Sequence, residues 1–285
     1  MVKRINISLK YLLLIVSSVM PFQLFEGCQK VINVDLNEAA PKIVIEGLIS
    51  DRRGPYTVTL TRSGSYFNQP TLPSVSGATV TIADDFGNID SLKEAVPGVY
   101  FTSRIRGISG RTYTLNVNSD KVEYTGTSSM LSHVNIDSLG LYKSEIGRFN
   151  FSGSNPNELH TEIHCFFKDP PEKNFYRIRL LKNDSINTQS YRLYDDQYTN
   201  GRETELRVSS AEAGNTYRVE LLSIDRATYS YYRTLGDLLF TNPFFGSTPA
   251  NPNSNLSNGA LGYFGAAAIS TKTIVVTDSM IKAAH

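Results

Sequence analysis

Tyr56-Thr57-Val58-Thr59-Leu60-Thr61 alternates strictly, with Tyr56, Val58 and Leu60 on one side of the chain and three threonines on the other. A period of two built from aromatic and β-branched residues predicts a strand with one buried and one hydrated face. Similar short segments lie on either side of it, at Lys42–Ser50 before and at Thr79–Ala83, Tyr100–Thr102 and Thr112–Val117 after. Turn signals separate them: Arg53-Gly54-Pro55, Asp85-Phe86-Gly87-Asn88, Pro97-Gly98 and Ser109-Gly110. Short half-buried strands at this spacing predict a β-sandwich over residues 41–127.

The same alternation continues through residues 128–285, at Glu162–Phe167, Phe175–Leu181, Thr204–Val208, Tyr217–Ile224 and Ala260–Ser270. One stretch breaks the period. Between Asp225 and Phe240, Tyr229, Tyr232, Leu235 and Leu239 recur at spacings of three and four, which predicts an amphipathic helix over 225–240 with its Tyr-rich stripe on a sheet. A Pro/Asn/Ser-rich stretch, 241–259, follows it, and connections of that length are often functional. The expected class is therefore mainly β: an N-terminal sandwich, then a second β-rich domain with one helix.

Composition narrows the function classes. Lys plus Arg number 28 against 27 Asp plus Glu, and no long basic run exists, so the chain has no electrostatic footprint for nucleic acid. Residues 1–27 read as an export signal: Lys3, Arg4 and Lys10 precede the apolar run Tyr11–Val16, which is too short to span a bilayer. Gly27-Cys28 follows, and this layout resembles a bacterial lipobox, in which Cys28 is acylated and becomes the first residue of the mature chain. Residues 28–40 then form a tether. With Cys28 as anchor, Cys165 is left alone and no internal disulfide can form, so stability must come from the core.

Several segments together resemble the Bacteroidota envelope lipoprotein family catalogued as domain of unknown function 4249. They are Val31-Ile32-Asn33-Val34-Asp35-Leu36 after the Cys, Pro41-Lys42-Ile43-Val44-Ile45-Glu46-Gly47, Ala78-Thr79-Val80-Thr81-Ile82, Pro97-Gly98-Val99-Tyr100 and Gly110-Arg111-Thr112-Tyr113-Thr114-Leu115. Near the C-terminus, Asn242-Pro243-Phe244, Asn255-Leu256-Ser257-Asn258-Gly259 and Gly262-Tyr263-Phe264-Gly265-Ala266 complete the likeness. The resemblance implies an immunoglobulin-like N-terminal domain and a lipid anchor in the outer membrane. It also implies a TonB-dependent outer-membrane transporter as partner, with no catalytic residues and no cofactor. On this basis the expected function is an accessory binding subunit of such a transporter. The alternatives are a structural or assembly component of the envelope and, further off, a hydrolase with an unrecognised site.

Chemistry-bearing motifs support a non-enzymatic expectation. His160-Thr161-Glu162-Ile163-His164 has the composition of a zinc motif, but the alternation of Ile163, Cys165 and Phe167 predicts a strand. Residues i and i+4 of a strand lie about 13 Å apart, too far to share a metal. Cys165 then reads as a small buried hydrophobe. Asp84-Asp85 and Asp195-Asp196 read as turn formers, since adjacent carboxylates diverge rather than flank one bond. There is no Gly-x-Ser-x-Gly elbow and no phosphate loop. The best candidate contact surface is aromatic: Phe244 and Phe245 on the long connection, with Tyr263 and Phe264 held between Gly262 and Gly265.

Overall fold

The computed structural model describes residues 40–64, 72–145, 159–186, 192–240 and 251–284. The alternating stretch that opens the sequence reading is strand β2 (Thr57–Arg62), paired antiparallel with β1 (Ile43–Ser50). The remaining strands of this half are β3 (Thr79–Asp84), β4 (Ile89–Ser91), β5 (Lys93–Val96), β6 (Val99–Phe101), β7 (Thr112–Ser119) and β8 (Val122–Ser129). The other half supplies β9 (Ile136–Glu145), β10 (Leu159–Lys168), β11 (Phe175–Lys182), β12 (Ser185–Ile186), β13 (Arg192–Asp195), β14 (Glu203–Ser210), β15 (Thr216–Ile224) and β16 (Leu261–Val275). The helix covers Arg226–Phe240, matching the predicted span, and a short C-terminal helix covers Asp278–Ala283.

These strands build one large sheet in the order β12-β11-β15-β16-β1-β2-β6-β5, with β13 also on β11, and two smaller sheets, β4-β3-β7-β8 and β14-β10-β9. Residues opposite one another across a ladder share a face. The registers Ile45↔Leu60, Gly47↔Phe264, Ser223↔Ala268 and Ile178↔Leu221 therefore place both halves' buried residues on one face of the large sheet. There the four-stranded sheet closes a core around Ile45, Val58, Leu60, Ile82, Leu115 and Phe264. The three-stranded sheet closes a second around Ile163, Cys165, Phe167, Tyr176, Val219 and Leu221. The opposite face carries the helix over Leu222, Ile224, Ala267 and Ile269.

Two sandwiches thus share one sheet. The division expected at 127/128 falls inside β8, and from Ala40 onward the chain forms one compact unit. The junction is β16, whose first half pairs with β1 over 261–267 and whose second half pairs with β15 over 267–275. Each half thereby leaves one edge without a strand, and side chains satisfy it. Asn255 accepts the Phe264 N–H at 3.0 Å and donates to the Phe264 carbonyl at 2.7 Å, while Ser128 Oγ accepts the Ala266 N–H at 2.8 Å. On the other edge Asp51 accepts the Ile269 N–H at 2.9 Å. Gly262, at φ +89°, permits the parallel pairing, because a Cβ there would sit 2.1 Å from the Ile45 carbonyl oxygen.

Candidate functional site

The outward face of the large sheet is where a ligand could meet the protein, and Asp225 sets its geometry. Asp225 Oδ1 accepts the Thr228 N–H at 2.8 Å, capping the helix, while Oδ2 accepts the Ser128 hydroxyl at 2.7 Å. The helix start is thereby tied to β8. Gly265 lets the helix approach closely, since a Cβ there would lie 3.0 Å from Thr228 Oγ1. Asn253 holds the other side, donating from its backbone to Thr234 Oγ1 and from its side chain to Ser230 Oγ.

Beside the helix is a pocket of about 370 Å³, lined by Glu46, Leu48, Arg177, Tyr232, Leu235 and Tyr263 among others. Tyr231, Tyr232 and Tyr263 pack together, Tyr231 stacked on Tyr263 at 4.6 Å and Tyr232 edge-on to it at 5.0 Å. The Tyr232 hydroxyl donates to the Tyr263 hydroxyl at 2.5 Å. Burial pushes both phenols above their ordinary pKa, so both keep their protons at neutral pH. The Arg177 guanidinium lies 3.8 Å from the centre of the Tyr232 ring, a stacking that suits its planar charge. Its Nε is buried with no hydrogen-bond partner. Arg179 contrasts with it: its Nη2 lies 2.6 Å from Glu220 Oε2, and Arg52 meets the same carboxylate at 3.2 Å.

A second pocket, about 540 Å³, opens where the helix meets β11 and β13. Its floor is the Phe175–Tyr229 pair, with ring centres 4.8 Å apart. Lys173 reaches both Asp195 and Asp196. Burial alone would lower the Lys173 pKa, but hydrogen bonds from its ammonium to the two carboxylates hold it above the ordinary value. Asp195 also caps the 3-10 turn Asp196–Tyr198, and Asp196 accepts the Asn174 N–H at 2.6 Å. These acids hold loops in place, as the turn reading expects.

The residues singled out in the sequence separate here. Tyr263 lines the first pocket, whereas Phe264, one position on, is fully buried in the N-terminal core and is not a contact residue. The flanking glycines serve the fold, Gly262 against β1 and Gly265 against the helix. Cys28, Phe244 and Phe245 lie outside the described residues. Asn255-Leu256-Ser257-Asn258 sutures β8 to β16: the Ser257 N–H donates to the Thr125 carbonyl, and the Asn258 amide to that of Glu123. The half of the long connection that is described is therefore structural. Arg177 and Glu46 were not visible as site residues in the sequence. Arg177 falls within the expected strand Phe175–Leu181, but nothing local marks it as the guanidinium left without a carboxylate.

β10 is a strand, with Ile163, Cys165 and Phe167 buried as expected. On its other face Glu162 pairs with Arg207, and His164 Nδ1 lies 2.5 Å from Glu205 Oε1. Among the described residues no three His, Cys, Asp or Glu side chains are grouped as a metal would need. Burial pushes the Cys165 thiol up to about 12, so it is protonated at neutral pH and a poor nucleophile.

These features define a mainly β protein whose large sheet is closed on one face by two smaller sheets and on the other by a helix flanked by open pockets. The chain belongs to the family described as Domain of unknown function (DUF4249), whose model matches residues 29–273. A comparison with curated proteins found no match.

Proposed function

We propose that the protein is a lipid-anchored outer-membrane lipoprotein that serves a TonB-dependent transporter as an accessory binding subunit. The observation that carries this reading is the order of segments along the chain. A basic and apolar leader ends at Gly27-Cys28, and the family match begins at the next residue, 29. The β body starts at Ala40. Acylated Cys28 holds the body at the membrane, and the pockets beside the helix supply places for a ligand. The described residues support binding over catalysis: Asp196 and Glu162 are engaged in ion pairs, and the buried Cys165 thiol is held protonated.

Labelling with a palmitate analogue, followed by purification from native membranes, tests the reading. The expected result is label on the wild-type chain, release of Cys28→Ala from the membrane, and a transporter retained with the wild-type protein. Unchanged membrane retention of Cys28→Ala would overturn the anchor. Retention of envelope assembly proteins in place of any transporter would favour a structural role.

A further inference from the structure

We infer that the pocket beside the helix binds a zwitterionic amino acid or short peptide, with its carboxylate on Arg177 and its ammonium group on Glu46. The assignment names a ligand class for the binding protein proposed above and rests on that reading. It starts from an imbalance on the outer sheet face. Arg179 and Arg52 share Glu220, but Arg177 forms no ion pair among the described residues, and its buried Nε–H has no acceptor. The Nε–H is sealed in beside the Tyr232 ring, so what the half-buried Arg177 presents to the pocket is a planar cation without a carboxylate, and the group that complements it is an oxyanion.

The pocket also carries the opposite charge. Glu46 is exposed on β1, lines the same cavity and has no hydrogen bond or ion pair among the described residues. A simple anion would be repelled by Glu46 and a simple cation by Arg177, so a ligand bearing both charges is the one that both walls accept. Tyr263 adds direction: it accepts the Tyr232 proton, which leaves its own O–H to donate. Leu48 and Leu235 supply an apolar wall for a side chain. A volume of about 370 Å³ holds a ligand of one or two residues and lies at the small end of ligand pockets.

Calorimetric titration of the full lipoprotein in detergent micelles tests this with leucine, glycyl-leucine, leucinamide, N-acetylleucine, phosphoethanolamine and glucose. Leucine or glycyl-leucine should bind, and removing either charge, in leucinamide or N-acetylleucine, should weaken binding tenfold or more. Arg177→Gln should erase the preference over leucinamide alone, and Glu46→Gln the preference over N-acetylleucine alone. Glu46 is exposed, so its variant should fold and decides the matter if Arg177→Gln does not. The inference is overturned if folded wild-type protein binds neither leucine nor glycyl-leucine at millimolar concentration. It is also overturned if glucose or phosphoethanolamine binds more tightly, or if Glu46→Gln leaves the discrimination unchanged. A transporter that still co-purifies while amino acids fail to bind would overturn this inference and leave the proposed function standing.

Discussion

The two small sheets cover the same face of the same large sheet, yet the carboxylates of the two halves lean mostly on different partners. In the N-terminal half carboxylates accept backbone N–H groups. Asp90 Oδ2 takes those of Ser103, Arg104 and Ile105, Glu94 takes those of Gly77 and Gly98, and Asp84 takes those of Phe86 and Asn88. In the C-terminal half carboxylates meet cations: Glu220 with Arg179, Glu162 with Arg207, Asp196 with Lys173. Backbone N–H groups cannot move away or be screened as side-chain ions can, so Asp90 and Glu94 are held by geometry and Glu220 and Glu162 by charge balance, while Asp84, which also meets Arg111, and Asp196, which also accepts the Asn174 N–H, combine the two. The outward pocket spans both halves, with Glu46 and Leu48 from β1 on one side and, on the other, Arg177 from β11 beside the paired Arg179.

The largest test of that division is Phe264→Ala. The ring is fully buried among the N-terminal core residues, so truncation should cost about 3–5 kcal/mol in denaturant unfolding. Hydrogen exchange on the same variant then asks how separate the halves are. Loss of protection confined to β1–β8 would mean that each sandwich holds itself. Equal loss in β11 and β15 would mean that β16, shared by both, couples them into one cooperative unit.

A smaller effect separates two buried aspartates. Asp90→Asn removes the charge that three N–H groups share and should cost about 2 kcal/mol. Burial first, and then the neighbouring Asp196, push the Asp169 pKa above its ordinary value, although Tyr176 and Gly201 donate to it. Asp169→Asn should therefore change stability at pH 7 by less than about 1 kcal/mol. Equal losses for the two variants, measured by urea unfolding, would break the comparison.

The strands that alternate apolar and polar residues were legible one by one, and so was the helix, because Tyr229, Tyr232 and Leu235 carry its period openly. β8 was not. Its inward positions are Gly126 and Ser128, which bury almost no apolar surface and work through close approach and hydrogen bonding to β16. β9 was hidden similarly by Gly140 between Leu139 and Leu141. The union of the halves could not be read either, because nothing local in Leu261–Val275 says that one strand changes partners midway. The site was half legible. Tyr263 and Phe264 were marked by one aromatic pair, and the strand pleat sends one to the pocket and the other to the core.

The finest test is acid, which should move the two halves in opposite directions. The Gly77 N–H, the Ser76 hydroxyl and the Gly98 N–H hold Glu94 at about 2, against an ordinary 4.5. Burial alone would raise Asp90, but the N–H groups of Arg104, Ile105 and Ser103 outweigh it and keep this carboxyl low as well. A depressed folded pKa means stability that is whole above the unfolded value and lost as pH falls through the folded one, so this contribution drains from about pH 4.5 towards 2. Asp169 has the opposite sign. Its charged form is disfavoured in the folded state, so a fall in pH through its raised value relieves a cost. Hydrogen exchange protection, corrected for the intrinsic pH dependence, should fall at Gly77, Gly98 and Ser103–Ile105 between pH 5 and 2.5 while that of Gly201, which donates to Asp169, is kept. Loss at Gly201 before loss at Ser103–Ile105 would break the comparison, because the loop held on Asp169 would then be the less acid-resistant of the two.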